Sequence, residues 1–212
     1  MKYTHIIWDF NGTLFDDVEA GIEAVNDMLS RRGYKTLSGK EEYREVFKFP
    51  IIDYYRDLGF EFDKEPYDVL APEWVELYNR SSERSTLQPW ALEALEYFAE
   101  RGIPQILLSA TELQMLKGQI KGLGIEKYFR EVSGLETIHA YSKKDLAIIW
   151  KKSHPDAVPV IIGDTEHDAE VARAIGCDCV LLRNGHQSEA RLSRCGFPVC
   201  DDIRAAVSYI EK

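Results

Sequence analysis

The sequence predicts an α/β fold with a parallel sheet and one helical insertion. Four short apolar runs each end on small or polar residues and give way to a helical stretch, the alternation that a parallel sheet with crossover helices produces. A long, charge-rich block without strand character separates the first run from the second. The 212 residues exceed one minimal domain and fall short of two average ones, so one domain carrying a sizeable insertion suits the length.

The first strand covers 3–8 and runs into Asp9-Phe10-Asn11-Gly12-Thr13. From Phe15 to about Thr86 the pattern is that of amphipathic helices. Asp16-Asp17 are placed as the N-cap of a helix reaching Arg32-Gly33, and 40–47 and 51–58 form two shorter helices, the second behind Pro50 in a favoured first-turn position. A fourth spans about 65–84, with Pro72 marking its true start. The sheet resumes after Leu87-Gln88-Pro89-Trp90 and a helix over 90–101. Its second strand, 104–108, ends at Ser109-Ala110, and the helix that follows over 111–121 is stopped by Gly122 and Gly124. The third, 158–162, ends at Gly163-Asp164 and opens a helix closed by Gly176; the fourth, 179–182, leads into the loop Arg183-Asn184-Gly185-His186. Residues 1–15 and 86–212 thus form the α/β core and 15–86 the helical insertion.

Composition narrows the partners. Apolar residues at 45% supply a core and exclude a disordered chain. With 36 acidic against 26 basic side chains the net charge is -10, which disfavours nucleic acid and anionic membrane surfaces. An anionic ligand must then be made welcome locally, by a metal, a lysine or helix N-termini. No apolar run reaches the roughly 18–20 residues of a membrane span, and the first residues lack a signal-peptide layout, so a cytoplasmic location is expected. Cys177, Cys179, Cys195 and Cys200 flank or follow an apolar strand and are read as reduced, packed thiols rather than zinc ligands. Nothing in the sequence signals an oligomeric state.

In an open α/β sheet, side chains just beyond the carboxyl ends of the strands converge although they lie far apart in sequence. That rule selects Asp9, Asn11 and Thr13 after strand one, Ser109 after strand two, and Asp164 after strand three, with Asp168 one helical turn on. Lys143 or Lys144 reaches the same edge from the start of a helix over 145–152. Facing aspartates either raise one pKa or recruit a cation, and Mg²⁺, hard and oxygen-seeking, is the natural one. A carboxylate also serves as a nucleophile, forming an acyl phosphate.

Asp9-Phe10-Asn11-Gly12-Thr13, then Ser109, then Lys143, then Gly163-Asp164-Thr165-Glu166-His167-Asp168 resemble, in order and separation, the four motifs of the haloacid dehalogenase superfamily. The helical insertion after the first motif is similar to the cap of its phosphoglycolate-phosphatase-like branch. The resemblance implies a Rossmann-like parallel sheet core with an inserted α-helical cap domain, and a Mg²⁺-dependent phosphatase acting on a small phosphorylated metabolite through an aspartyl-phosphate. It makes Asp9 the nucleophile and a metal ligand, with the Asn11 carbonyl and Asp164 as further ligands and Asp168 the supporting acid of the metal site. Thr13 orders the nucleophile loop beside Gly12. Ser109, with the Ala110 amide, binds phosphate, and Lys143 steadies nucleophile and transferring group.

One position departs from that pattern. Where phosphatases of the family carry a second aspartate that protonates the leaving alcohol, this chain has Asn11, which cannot exchange a proton at a useful pKa. General acid–base catalysis is worth roughly 10²–10⁴-fold, so poor leaving groups should suffer most. Three readings follow: a slow phosphatase borrowing a proton from Glu166, His167 or a cap residue; a phosphonate-cleaving or dehalogenating relative, for which Lys48 is the candidate Schiff-base lysine; or a non-catalytic phosphate-binding protein. Asn11-Gly12 is also a deamidation-prone pair, and conversion there would create apparent activity. His167 is read as solvent-facing, and His139 and His186 as loop histidines able to line the cleft. Tyr43, Phe47, Phe49, Tyr54, Tyr55 and Phe60, at helical spacings, are read as packing between cap helices, some of them closing over the cleft.

Overall fold

A computed structural model describes residues 1–135 and 142–212. The first strand, β1 (His5–Trp8), leads through the 9–14 loop to a two-residue strand β2 (Phe15–Asp16) and then to four helices, α1 (Val18–Arg31), α2 (Lys40–Val46), α3 (Ile51–Asp57) and α4 (Tyr67–Ser82). The chain returns through β3 (Thr86–Leu87), which pairs antiparallel with β2, Phe15 opposite Leu87. There follow α5 (Ala91–Glu100), β4 (Gln105–Glu112), α6 (Leu113–Gly122), β5 (Glu131–Leu135), α7 (Lys143–Ser153), β6 (Pro159–Gly163) and α8 (Glu166–Ile175). The chain ends with β7 (Asp178–Leu182), α9 (Glu189–Leu192), β8 (Val199–Cys200) and α10 (Ile203–Ile210).

Among the described residues, six strands form one parallel sheet in the order β5-β4-β1-β6-β7-β8. The order reverses on either side of β1, so β1 and its neighbours β4 and β6 open the crevice where such sheets bind ligands. Successive strand residues point to opposite faces, and both faces are covered. Ile6, Trp8, Leu107 and Ile162 pack with Leu95 and Phe98 of α5, Leu116 of α6 and Ile203 of α10. Ile7, Ile106 and Ile161 pack on the other side with Ala147 and Trp150 of α7 and Ala172 of α8. Double coverage explains why these strands read as continuous apolar runs rather than as alternating ones.

The inserted helices bury a separate core: Val25, Met28 and Leu29 of α1 meet Leu70 and Tyr78 of α4 and Tyr54 and Tyr55 of α3. Arg32 ties the end of α1 to Glu65 and to Glu73 of α4 at 2.6 and 2.5 Å.

Several expectations need correction. Helix α4 starts at Tyr67 behind Pro66, and Pro72 lies inside it. Proline pre-sets a helical φ and its missing N–H matters little in a first turn, so Pro66 starts the helix, while Pro72 sits past the turn where that tolerance holds. Strand β4 continues past Leu108 to Glu112, which delays α6 to Leu113, because β5 lies alongside and Glu112 pairs with Leu135. The Glu112 side chain then caps α6, accepting from the Gln114 and Met115 amides at 2.9 Å. Edge strands β5 and β8 are not expected from the sequence, since both are only partly buried and β8 has only two residues.

Candidate active site

Asp9 follows β1 directly, Ser109 stands where the regular pairing of β4 with β5 breaks after Leu108, and Asp164 follows β6, so the three central strands bring these residues to one rim. Two capping boxes complete the placement. Ser142 accepts from the Asp145 amide and Asp145 reaches back, which fixes the start of α7 and makes Lys143 its first residue. Thr165 and Asp168 form the same reciprocal cap on α8. Lys143, only 4% exposed, donates to both Asp9 Oδ1 and Asp168 Oδ1. Lys144, the alternative, is exposed on the next helical position.

The carboxylates differ in what holds them. Asp168 Oδ2 accepts from the Asp164 and Thr165 amides and the Thr165 hydroxyl, at 3.2, 3.0 and 2.8 Å. With its other oxygen on Lys143, Asp168 is saturated by protein donors and acts as the lysine's anchor. Asp164 accepts from Thr13 Oγ1 at 2.9 Å and from the His186 amide at 2.6 Å. Two glycines make room for it: a Cβ on Gly12 would stand 2.3 Å from Asp164 Oδ2 and one on Gly185 2.2 Å, and Gly12 also has a φ of +72°. Asp9 Oδ2 makes no hydrogen bond among the described residues, and Asp9 lines the cavity above it.

One oxygen from each of Asp9, Asp164 and Asp168 lies within 4.8 Å of the others, and all three residues are buried. Three carboxylates thus face one ammonium. Burial, with Asp168 and Asp164 nearby and against the pull of Lys143, pushes Asp9 up to about 8. Burial likewise raises Asp164, whereas for Asp168 the charge and hydrogen bond of Lys143 outweigh burial and hold it below the usual carboxylate range. An all-oxygen set with surplus negative charge fits a hard divalent cation.

A second buried network adjoins the first, and it corrects the reading of Asp17. That residue occupies the N-cap of α1 but makes no capping bond. Its Oδ1 instead accepts from the Gly12 amide at 2.7 Å and lies 3.2 Å from His186 Nε2, while its Oδ2 accepts from Tyr78 Oη at 2.6 Å and Asn11 Nδ2 at 2.8 Å. Asn11 Nδ2 also donates to Tyr78 Oη at 2.7 Å, and Asn11 Oδ1 accepts from Thr111 Oγ1 at 2.6 Å, which in turn accepts from Ser109 Oγ at 3.0 Å. Tyr43 Oη closes the network on His186 Nδ1 at 2.8 Å. Although burial opposes both, Asp17 and His186 stabilise each other's charge, so Asp17 falls below the ordinary range and His186 rises to about 9. The Asn11 side chain is pinned at both ends and the Gly12 amide is occupied by Asp17 and Phe15 O, so the backbone attack that deamidation needs is blocked in the folded chain.

Sequence reasoning missed Asp17, Tyr78, Tyr43 and Thr111 as parts of this centre. The usable signal was the doubled acid Asp16-Asp17 directly after the first motif. Of the other candidates, Lys48 and Glu166 lie outside the cavity lining and His167 lies within it. Lys48 pairs with Asp57 on the insertion and does not line the cavity. Glu166 is held by Arg191 at 2.7 Å, away from Asp9's cavity. His167 is not solvent-facing: only 18% of its side chain is exposed, and it lies 5.1 Å from the Phe49 ring in the cavity wall. His139 lies outside the described residues. The four cysteines are free thiols, and burial raises the pKa of each.

Between the sheet rim and the inserted helices lies a cavity of about 690 Å³, with Asp9, Asn11, Ser109 and Lys143 at its floor and Phe47, Tyr54 and Trp74 among its upper wall.

Residues 6–182 match the family model described as haloacid dehalogenase-like hydrolase. Among curated relatives, a phosphoglycolate phosphatase of Pseudomonas fluorescens is 26% identical over 211 residues, covering 95% of this chain and 75% of the relative. One from Rhodobacter capsulatus is 25% identical over 191 residues, covering 86% and 85%. A solved haloacid dehalogenase-like hydrolase from Streptococcus pneumoniae superposes with a TM-score of 0.79 at 20% identity, covering 98% of each chain. No helix among the described residues is long and apolar enough to cross a membrane.

Proposed function

The chain belongs to the haloacid dehalogenase-like hydrolase family, and from that premise we propose that it is a phosphatase in which Asp9 attacks the phosphorus of a phosphate monoester. The observation that supports this most is the state of Asp9: one oxygen is held by Lys143, the other makes no hydrogen bond among the described residues, and the residue lines the cavity. The attack forms an Asp9 acyl phosphate and expels the alcohol as its oxyanion. Water then attacks the same phosphorus, releasing inorganic phosphate and restoring the carboxylate. Lys143, the Ser109 hydroxyl and the Ala110 amide neutralise the equatorial oxygens as charge spreads over them. Asp168 holds Lys143 in place, and Thr13 orients Asp164. Asp9, Asp164 and the Asn11 carbonyl would hold Mg²⁺, which when bound offsets the charge of the cluster and of the phosphoryl group.

The inserted helices act as the cap that sets which leaving groups enter. The curated relatives' name points to small phosphorylated acids as the first compounds to test. Purified protein should release phosphate from a panel of monoesters only with Mg²⁺ and lose that activity in EDTA. Equal rates with and without the metal, or no release from any ester, would contradict the proposal.

Asn11→Asp is expected to raise turnover of alkyl phosphates by about 10²-fold, the lower end of the 10²–10⁴ span of general acid catalysis, and to change aryl phosphates less. The new carboxyl would stand where Asn11 Nδ2 lies 2.8 Å from Asp17 Oδ2, so the pair must share a proton, and a proton kept there is what a leaving alkoxide needs. Steady-state rates on matched alkyl and aryl esters check this; a lower alkyl rate would show that the new charge disrupts the network instead.

A further inference from the structure

We propose that the substrate is a phosphate monoester of a bulky apolar, phenolic alcohol without a second anionic group, rather than a small carboxylated phosphate. This inference rests on the phosphatase reading above and adds what the cavity selects.

Charge is the first argument. A two-carbon acid phosphate needs one cationic site for the phosphoryl group and another for its carboxylate. Among the described residues lining the cavity, Lys143 is the single lysine or arginine, and its ammonium already lies on Asp9 and Asp168. The charge of His186 is matched by Asp17 at 3.2 Å, and His167 sits 3.4 Å from Glu170. The remaining charged groups in the wall, Asp17 and Glu112, are themselves acidic. A carboxylate there would lose its water without gaining a cationic partner among the described residues.

Shape and surface are the second. The 690 Å³ cavity is of the size that encloses a drug-like molecule, and a two-carbon acid would fill little of it. Above the polar floor its walls are Phe47, Phe49, Ile51, Trp74, Met115 and Leu135, a surface that gains by covering an aromatic ring. Tyr54 Oη, in the same wall, is buried with no hydrogen-bond partner among the described residues, leaving one neutral donor for a ligand oxygen.

The third is chemical and independent of the other two. Asn11 provides no proton for the leaving oxygen. A phenolate, whose conjugate acid titrates near 10, departs unaided far more readily than an alkoxide. Cavity lining and floor therefore select the same class of leaving group.

Because aryl esters are intrinsically more reactive, the test is binding as well as rate. Inhibition by two non-hydrolysable phosphonates is compared, 1-naphthylmethylphosphonate and 3-phosphonopropionate, using p-nitrophenyl phosphate as reporter. The naphthyl compound should bind at least about 10²-fold more tightly, and 1-naphthyl phosphate should show the same margin in KM over phosphoglycolate. Val75, 40% exposed on α4 and in the cavity wall, offers a variant that spares the packing. Val75→Arg supplies the missing cation and should tighten 3-phosphonopropionate by about tenfold or more while weakening the naphthyl ligand. Equal or tighter binding of the carboxylated phosphonate by the wild type would overturn the inference while leaving the phosphatase reading intact, and an unchanged Val75→Arg would overturn its charge argument. Failure to hydrolyse p-nitrophenyl phosphate in an Asp9-dependent way would remove the phosphatase reading itself.

Discussion

Asp9→Asn abolishes turnover, with kcat falling by on the order of 10³-fold or more, while the protein stays folded. Asparagine matches aspartate in shape, and its amide oxygen can still face Lys143, so the site keeps its geometry and loses its nucleophile. The substitution also replaces a carboxyl, only 8% exposed, whose ionisation burial and the neighbouring Asp168 and Asp164 oppose, so it relieves repulsion instead of adding it. Thermal stability should therefore hold or rise, and phosphate should still bind as a competitive ligand. Measured together, kcat, Tm and the phosphate inhibition constant separate a lost nucleophile from a lost fold. A variant keeping its activity within about tenfold of wild type would remove Asp9 from the chemistry.

Lys143→Met carries the largest expected cost in stability. The side chain is 4% exposed and is the ammonium shared by Asp9 and Asp168, so its removal leaves buried carboxylates facing one another. Breaking a buried pair by deleting one partner costs about 3–5 kcal/mol, which for a chain of this length lowers Tm by roughly 10 °C. Lys143 is raised above its ordinary value by Asp168 and Asp9 although burial opposes this, so its contribution is fully present below the unfolded lysine pKa and is lost only at strongly alkaline pH. Asp168 is depressed by the same contact against the effect of burial, so its share is present above the unfolded carboxylate pKa and disappears as the pH falls through the lower folded value. The stability gap between wild type and variant should therefore be widest around neutral pH and narrow in acid, and added Mg²⁺ should shrink it. Denaturation at pH 3 and pH 8, with and without the metal, reads this out; equal Tm for both proteins at pH 8 would mean that the carboxylates do not depend on the lysine.

Much of the site was legible because its residues obey one rule. Asp9, Ser109 and Asp164 each stand where an apolar run stops, and parallel strands place their ends together. Lys143 was separable from Lys144 only by helix phase, which Ser142 sets through its cap. Asp17 was not legible, since an acid before an amphipathic helix is what a cap looks like and its partners lie far away, Tyr78 at 61 positions and His186 at 169. Lys48 failed for the opposite reason: it stands between Phe47 and Phe49 in sequence, but Asp57 one helix later satisfies it. In the fold, strongly apolar central strands could be read, whereas β5 took shape only through pairing with β4, a contact no local pattern encodes.

Covalent chemistry at Asp9 is the claim on which the account depends, and borohydride trapping tests it most directly. A reaction with an aryl phosphate, quenched within the first turnover and reduced, should yield homoserine in place of aspartate at position 9, seen by mass spectrometry of that peptide and absent without substrate. Phosphate release with an unreduced Asp9 at every quench time, or homoserine at another aspartate, would contradict it.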